Sequence, residues 1–588
     1  MLCCIFGLKG RNKSAQGRAK GQSPVAPPLV PVRFEIAALK GRNAVNGFPS
    51  RKSTYLAPKG SDSIAQAEGL GSSRHEPFRS PNGARQSRVT QFLNATESNA
   101  RATSMNGHRI DPGLPTRRET LIRLGSGFGG LALAALCGES NPGALAVDAT
   151  QHGVLLRPPH HQPKARAVIQ LFMHGGPSQV DLLDPKPELS RLDGQSPPAE
   201  VADDENRTTY LMGSPFKFSR HGESGLKFSE VLPGIAQHAD DIAVVRSMFT
   251  EHRNHEQAIW MANTGLIVSG RPNIGSWVAY GLGAENQNLP AYVALPEPSG
   301  LPVDGTRNWS SGWLPPVYQG TAIRSEGLPV LHLQPKAARP SDIDQGRLDL
   351  LRQLNARHRQ ARPGEQELDA RIASFELAAR MQLTASDALD INQETAATQK
   401  LYGLDQPKTR SYGKRCLMAR RLVERGVRFV QLFMAGQPWD THANNTTGIR
   451  SCCEQTDLPV AGLLTDLKQR GLLDSTLVQW GGEFGRTPGA EQRGDNKTRG
   501  NEGRDHHPYG FSVWLAGGGI RGGQAYGATD DFGYRAIVNR TQTADLHATM
   551  LHLLGLNHER LTFAHNGRDE RLTDVYQARV IKELLASG

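Results

Sequence analysis

The sequence predicts an α/β fold in which a mainly parallel sheet is sandwiched by helices. Two observations predict it. From Ala165 onward, short apolar segments alternate with longer amphipathic segments, and most of the apolar segments end at glycine beside histidine or carboxylate residues. Short, wholly apolar runs are typical of strands that helices cover on both sides. No internal repeat is visible in the sequence.

Six strands are predicted, each short and apolar, as expected for strands buried in a parallel sheet. They cover residues 167–173, 242–246, 291–295, 427–433, 476–480 and 511–515. Seven helices are predicted between them from apolar residues at helical spacing. They cover residues 256–264, 274–281, 343–359, 365–384, 411–425, 457–470 and 544–554. The two consecutive helices at 343–384 are expected to form a hairpin outside the sheet.

Residues 1–148 differ from the rest of the chain in charge and composition. They carry 20 Lys+Arg against 9 Asp+Glu, a surplus equal to the net charge of +11 of the whole chain. Residues 149–588, the predicted folded domain, are therefore neutral, and no nucleic-acid partner is expected. Residues 1–104 are rich in Gly, Ser, Arg, Asn and Pro without an apolar period, which predicts a disordered extension unless translation starts at Met105.

Residues 105–148 are predicted to be a twin-arginine export signal. Arg117 and Arg118 precede an apolar run at 124–136, and small residues at 144–146 follow as a signal-peptidase site. The run is shorter than the roughly 20 residues that span a bilayer, so no stable membrane span is expected after processing. We therefore expect the twin-arginine export machinery as a partner and a periplasmic or extracellular location.

Histidine, carboxylate and glycine residues lie next to five of the predicted strands. In open α/β sheets, ligands bind beyond the carboxyl ends of the strands. Mixed imidazole and carboxylate ligands suit Zn, Mn, Fe or Ca, so one or two divalent metal ions are expected at this edge. The candidate ligands are His174, Asp181, Asp440, His442, Glu483, His506 and His507, and the candidate catalytic residues are His255 and Arg486.

Three of these assignments leave alternatives open. Asp181 is either a ligand or a group that orients a ligating imidazole. Only one of His506 and His507 is expected to be a ligand, because adjacent side chains in extended backbone point apart. Arg486 either clamps an ester oxygen through its planar fork or forms a loop salt bridge.

The order of the motifs over about residues 117–588 resembles a known family. The motifs include "HGGPSQVDLLDPKP", "NHEQAIWMANTG", "WDTH", "GGEFGRTP", "GRDHHPYGFSVWLAGGGIRGG" and "TADLHATMLHLLG". They resemble the secreted bacterial proteins of domain-of-unknown-function family 1501, often labelled sulfatase-like, within the alkaline phosphatase and sulfatase superfamily. The resemblance implies an alkaline-phosphatase-like core.

The resemblance also implies roles for single residues. His174 stands where the first strand of the superfamily usually delivers an aspartate. Asp440 and His442 look like the aspartate-and-histidine pair of one metal site, and Glu483 looks like the acidic member of another pair. His255 falls near the nucleophile position, which is otherwise a Ser, Thr or Cys.

Two functions follow from this pattern as expectations. The first is an exported, metal-dependent hydrolase of sulfate or phosphate esters, acting on a small-molecule or glycan substrate. Formylglycine chemistry is not expected, because the Cys-x-Pro-x-Arg or Ser-x-Pro-x-Arg core of sulfatases is absent from the sequence. The second is a catalytically degenerate member that binds metal or a glycan. The tryptophans near the motifs either stack on sugar rings or pack in the core; they are Trp260, Trp309, Trp313 and Trp439.

Overall fold

The structure is a computed structural model that describes residues 154–199, 201, 208–327, 341–491 and 500–586. The predicted extension at 1–104 and the predicted export signal at 105–148 lie outside these residues and stay predictions. Within the described ranges, no helix is both long and apolar enough to cross a bilayer.

Strands and helices alternate along the chain as the sequence predicts. The strands are β1 (Ala167–Phe172), β2 (Thr208–Leu211), β3 (Phe218–His221), β4 (Leu226–Ser229), β5 (Ile242–Phe249), β6 (Tyr292–Leu295), β7 (Thr321–Ala322), β8 (Phe429–Phe433), β9 (Thr476–Gly481), β10 (Gly485–Arg486), β11 (Gly489–Glu491), β12 (His506–His507), β13 (Phe511–Ala516), β14 (Gln524–Tyr526), β15 (Ala528–Thr529), β16 (Ala536–Val538), β17 (Thr541–Gln542), β18 (Phe563–His565) and β19 (Arg568–Glu570). The α-helices are α1 (Gln179–Leu182), α2 (Pro187–Arg191), α3 (His255–Thr264), α4 (Ile274–Leu282), α5 (Ser341–Gln360), α6 (Gln366–Leu389), α7 (Ala396–Leu401), α8 (Arg410–Glu424), α9 (Asn445–Gln469) and α10 (Thr543–Leu553).

The described residues form a central sheet of nine strands. Its order is β14-β5-β13-β9-β1-β8-β6-β7, and β17 also pairs with β5. In the middle of the sheet, β1 runs parallel to β8 on one side and to β9 on the other. β6 continues the parallel arrangement beyond β8. The predicted α/β fold with a mainly parallel sheet sandwiched by helices is therefore confirmed.

The strand β1 shows why the sequence of a central strand is a continuous apolar run. All six of its residues are buried. Ile169 and Leu171 belong to the core on the face covered by α8 and α9. Val168 and Phe172 alternate with them and belong to the core under α3, α4 and α10. Because both faces carry helices, neither set of side chains is polar, apart from Gln170.

One strand direction differs from the expectation of parallel strands. β13 runs antiparallel to both of its neighbours, β5 and β9. Its beginning therefore lies at the edge of the sheet where the neighbouring parallel strands end. This orientation is compatible with a mainly parallel sheet and explains how residues that precede β13 reach the same edge as residues that follow β5, β8 and β9.

The helix predicted at 457–470 is longer than expected. α9 begins at Asn445 and continues through Pro459. Proline is favoured in the first turn of a helix and disrupts a helix further in. The sequence therefore predicted that the helix begins beside Pro459. The first part of α9 is polar in sequence, but Ile449, Cys452 and Cys453 are buried and anchor it to the core.

The buried imidazole of His547 on α10 gives a prediction about acid stability. Its Nε2 donates to the carbonyl of Ala262 at 2.9 Å, and burial lowers its pKa from 6.5 to about 4. Because the unfolded chain binds a proton more readily than the folded one, this group costs stability as the pH falls from 6.5 towards 4. We expect it to remove about 2 kcal/mol of unfolding free energy between pH 7 and pH 5.

The variant His547→Gln keeps a donor but does not titrate, so its loss of stability over this pH range should be smaller by that amount. Urea unfolding of both proteins at pH 7 and pH 5 measures the difference. Equal losses in the two proteins would show that the folded state does not hold His547 neutral.

Candidate metal centre

Four side chains from three chain segments meet at the edge of the sheet where the parallel strands end. His255 is the first residue of α3, which follows β5. Asp440 and His442 lie in the loop between β8 and α9, and His506 lies on β12, just before β13. The sequence placed these residues at strand ends, and the structure brings all four together.

The four side chains converge on one carboxylate oxygen. The Nε2 atoms of His255, His442 and His506 lie 3.3, 2.9 and 3.1 Å from Oδ1 of Asp440. The Nε2 atoms of His442 and His506 are 2.8 Å from each other. Together, the four ligand atoms lie within 4.8 Å of one another. We call this group the histidine–aspartate centre.

Two buried glutamates hold the outer nitrogens of two of these histidines. His255 donates from Nδ1 to Oε1 of Glu483 at 2.6 Å. His442 donates from Nδ1 to Oε2 of Glu491 through a short hydrogen bond. Because each Nδ1 carries the proton, each Nε2 presents its lone pair to the centre, the arrangement usual for metal-ligating histidines.

Glu483, a predicted metal ligand, contacts the centre through Nδ1 of His255, and Glu491 was missed by sequence reasoning. Glu483 is 1% exposed and also accepts a hydrogen bond from the backbone N–H of Gly175 at 2.9 Å. Burial opposes its ionisation, but the hydrogen bond and the charge of His255 outweigh burial and lower the pKa of Glu483. Glu491 lies on β11 without a neighbouring histidine or aspartate in sequence, so no local pattern marks it.

The electrostatics of the centre favour an ionised carboxylate. Burial opposes the charge on Asp440, but its close contacts with three imidazoles and with the guanidinium of Arg486 outweigh burial and hold the pKa of Asp440 well below its usual range. Burial lowers the pKa of His506. For His255 and His442, burial is outweighed by their carboxylate partners, and both pKa values are raised. A cation is the species that this donor set is built to attract.

The donor set fits a divalent metal ion. Nε2 of His255 is a buried nitrogen without a hydrogen-bond partner among the described residues. Two imidazole nitrogens 2.8 Å apart require a proton or a cation between them. Three imidazoles and one carboxylate form a ligand set suited to Zn, Mn or Fe, and less suited to Ca, which prefers an all-oxygen shell.

Arg486, predicted either to clamp an ester oxygen or to form a loop salt bridge, is in contact with Asp440 and three backbone carbonyls. Its guanidinium is fully buried and donates to the carbonyls of Gly175, Gly176 and Arg504. It also contacts Oδ1 of Asp440 at 2.5 Å. Since these four contacts occupy most of its donors, Arg486 fixes the loop after β1 and aims Asp440.

The structure also shows which of His506 and His507 faces the centre. Arg486 on β10 lies directly opposite His506 on the antiparallel strand β12, so both side chains share a face and reach Asp440. His507 points to the other side, where its Nε2 hydrogen-bonds to the carbonyl of Tyr534. His506 is therefore the candidate ligand of the two.

His174 and Asp181 lie outside the histidine–aspartate centre. His174 is completely buried, and its ring packs against Phe172 and Phe433 at centroid distances of 4.5 and 5.4 Å. Burial lowers the pKa of His174 to about 4, so it is a neutral core residue. Asp181 is fully buried in an ion pair with Arg504, at 2.7 Å.

The two glycines after β1 allow the loop to approach Asp440 closely. Gly175 and Gly176 have φ angles of +107° and +74°, which side chains disfavour. A Cβ atom on Gly175 would lie 2.4 Å from the backbone nitrogen of Asp440. The sharp turn therefore lets this loop pack against the Asp440 loop. His174, which precedes the turn, does not reach the centre.

Comparisons with known proteins give a family and several similar folds. The family model described as "Protein of unknown function (DUF1501)" matches residues 165–585. No curated protein matches the chain. Similar solved structures include a protein in the alkaline phosphatase superfamily from Vibrio parahaemolyticus, at 10% identity and TM-score 0.31, covering 74% of this chain and 73% of that one. They also include the PsFucS1 sulfatase from Pseudoalteromonas sp., at 13% identity and TM-score 0.29, covering 71% and 74%. A third is the phosphonate monoester hydrolase SpPMH from Silicibacter pomeroyi, at 10% identity and TM-score 0.28, covering 60% and 71%.

Proposed function

The chain belongs to the DUF1501 family of proteins of unknown function, and from this premise we propose that it is an exported, metal-dependent hydrolase of sulfate or phosphate esters. The observation that carries the proposal is the convergence of three imidazole nitrogens on one carboxylate oxygen. Export is proposed from the paired arginines at 117–118, which lie outside the described residues.

His255, Asp440, His442 and His506 would hold one divalent metal ion. When bound, such an ion supplies Lewis-acid stabilisation of the charge that develops on the ester oxygens. Glu483 and Glu491 keep the proton on the outer nitrogen of two ligating histidines. This proton placement keeps the inner nitrogens available for the cation.

The centre has limited contact with solvent. Its four side chains are only 10–17% exposed. The ring of Phe484 lies 4.9 Å from that of His255 and 4.8 Å from that of His506, so an apolar wall covers one side. Limited solvent access strengthens electrostatic stabilisation in the site.

The cysteines of the described residues do not supply formylglycine or a reactive thiolate. Cys416, Cys452 and Cys453 are free thiols buried in the core. Burial raises the pKa of the Cys452 thiol to about 12 and also raises the pKa values of the Cys416 and Cys453 thiols. These thiols pack in the core, in agreement with chemistry that does not use formylglycine.

One observation favours a second candidate function, metal or glycan binding without hydrolysis. Among the described residues, no hydrogen bond joins a serine, threonine or cysteine side chain to the four side chains of the centre. The tryptophans do not strengthen the glycan-binding alternative. Trp309 and Trp439 are buried, Trp260 donates to Asp304, and Trp313 stacks on His565.

Hydrolysis assays on aryl sulfate, phosphate and phosphonate esters distinguish the two functions. We expect turnover of at least one ester class by protein loaded with Zn or Mn, and its loss on chelation. Asp440→Asn, which keeps the size of the side chain but removes its charge, should lose metal and activity together. Full metal occupancy without turnover of any ester would contradict the hydrolase and support binding alone.

A further inference from the structure

We propose that Asn263 is a positioning residue for the histidine–aspartate centre: a buried amide network fixes the rotation of α3 and thereby aims the imidazole of His255. This inference rests on the metal centre of the proposed function. It adds a determinant that lies outside the ligand set, at the opposite end of α3 from His255.

Apolar packing alone does little to fix the rotation of α3 about its own axis. The helix has ten residues, and its buried apolar side chains are Ala258, Ile259 and Met261. Alanine offers little surface, methionine adapts to many surroundings, and apolar contacts carry no direction. A directional contact is therefore needed to hold α3 in one orientation.

A chain of hydrogen bonds supplies that direction. Tyr292 donates its hydroxyl proton to Oε1 of Gln431 at 2.5 Å, so the amide nitrogen of Gln431 faces α3. Nε2 of Gln431 donates to Oδ1 of Asn263 at 2.8 Å. Nδ2 of Asn263 then donates to Oδ1 of Asn308 at 3.2 Å. Each amide has one satisfied orientation, set by its neighbour.

The network is buried throughout, which makes it selective for one arrangement. Tyr292, Gln431, Asn263 and Asn308 are each at most 3% exposed. Water cannot replace a lost partner at such positions, so a rotated α3 would leave amide groups unpaired in the core. Gln431 itself sits on the central strand β8, in register with Gln170 of β1.

The end of α3 is held at two further points. His547 donates to the carbonyl of Ala262 at 2.9 Å. Gly265, which ends the helix, packs so closely that a Cβ atom would lie 2.1 Å from the carbonyl oxygen of Leu572. With its last turn held, the rotation of α3 decides whether His255 can reach Glu483 at one nitrogen and Asp440 at the other.

The test compares Asn263→Leu with a control of similar severity elsewhere. Leucine has a similar size and removes both amide contacts. The control Leu463→Ala truncates a fully buried residue of α9, on the other face of the sheet. Cobalt(II) titration followed by visible absorption reports both affinity and ligand geometry, and thermal melting reports stability.

We expect Asn263→Leu to bind cobalt(II) at least about tenfold more weakly than the native protein, with an altered spectrum. Leu463→Ala should melt at a lower temperature but keep the native affinity and spectrum. Native affinity and spectrum in Asn263→Leu, or equal losses in the two variants, would overturn the proposal. If Asn263→Leu does not fold, the smaller Asn263→Ser is judged by the same criteria.

A readout without metal separates this inference from the proposed function. In protein with ¹⁵N-labelled histidine, the Nδ1–H resonance of His255 reports its hydrogen bond to Glu483. If the native protein binds no cobalt, the proposed function fails, but this resonance still decides the inference. A shift in Asn263→Leu and none in Leu463→Ala supports the positioning role, whereas no shift in Asn263→Leu, or equal shifts in both, contradicts it.

Discussion

Replacing His442 with alanine is expected to abolish metal binding and the stabilisation that metal brings. His442 contacts Asp440 and His506 directly, so its loss opens the middle of the centre. A metal at one hundred times its Kd stabilises the native state by about 2.7 kcal/mol. Alanine also removes the imidazole beside Glu491, which changes the stability of the metal-free protein. The measurement is therefore the shift in melting temperature on metal addition, together with the metal content.

His252→Ala is the matched control for this experiment. His252 lies three residues before His255, and its side chain accepts a hydrogen bond from the backbone N–H of Asn254 at 3.1 Å, a contact within its own loop. We expect the control to bind one equivalent of metal and to show the native shift in melting temperature. A full equivalent of metal bound by His442→Ala would remove His442 from the ligand set.

Replacing Asp181 with alanine is expected to lower the unfolding free energy by about 3–5 kcal/mol. Asp181 and Arg504 are both fully buried and paired through two hydrogen bonds of 2.7 and 3.0 Å. Without the carboxylate, the charge of Arg504 stays buried and uncompensated. Arg504 also donates from its backbone to Thr441 at 3.0 Å, so the loops that carry His442 and His506 should loosen together.

Urea unfolding at neutral pH measures this loss, and the exposed pair Lys408–Glu454 offers the control. These side chains are 70% and 44% exposed and 2.7 Å apart. Glu454→Ala should cost no more than about 0.5 kcal/mol, because exposed ion pairs contribute little. A similarly small effect for Asp181→Ala would mean that the Arg504 charge finds another partner or is not buried.

The fold was predictable because its strands are buried on both faces. The apolar runs of β1, β8 and β9 have no polar alternation, and only a helix-covered sheet accommodates such runs. The direction of β13 was not predictable, since its apolar run is the same in either direction. Residue order along a strand carries no signal for parallel or antiparallel pairing when both faces are apolar.

The site was predictable to the extent that sheet topology decides it. Asp440, His442 and His506 follow from the rule that ligands bind at strand ends. His174 and Asp181 satisfy the same rule but serve the core, because a strand end also needs buried turns and paired charges. Glu491 lay beyond reach of sequence reasoning, since its contact with His442 arises only when β11 folds back beside the Asp440 loop.

The most direct test of the metal centre is a crystal structure of the protein with anomalous diffraction measured at the absorption edge of the bound metal. We expect one anomalous peak, enclosed by the side chains of His255, Asp440, His442 and His506. A peak at another place, or hydrogen-bonded side chains and no peak in crystals grown with saturating zinc or manganese, would contradict the centre.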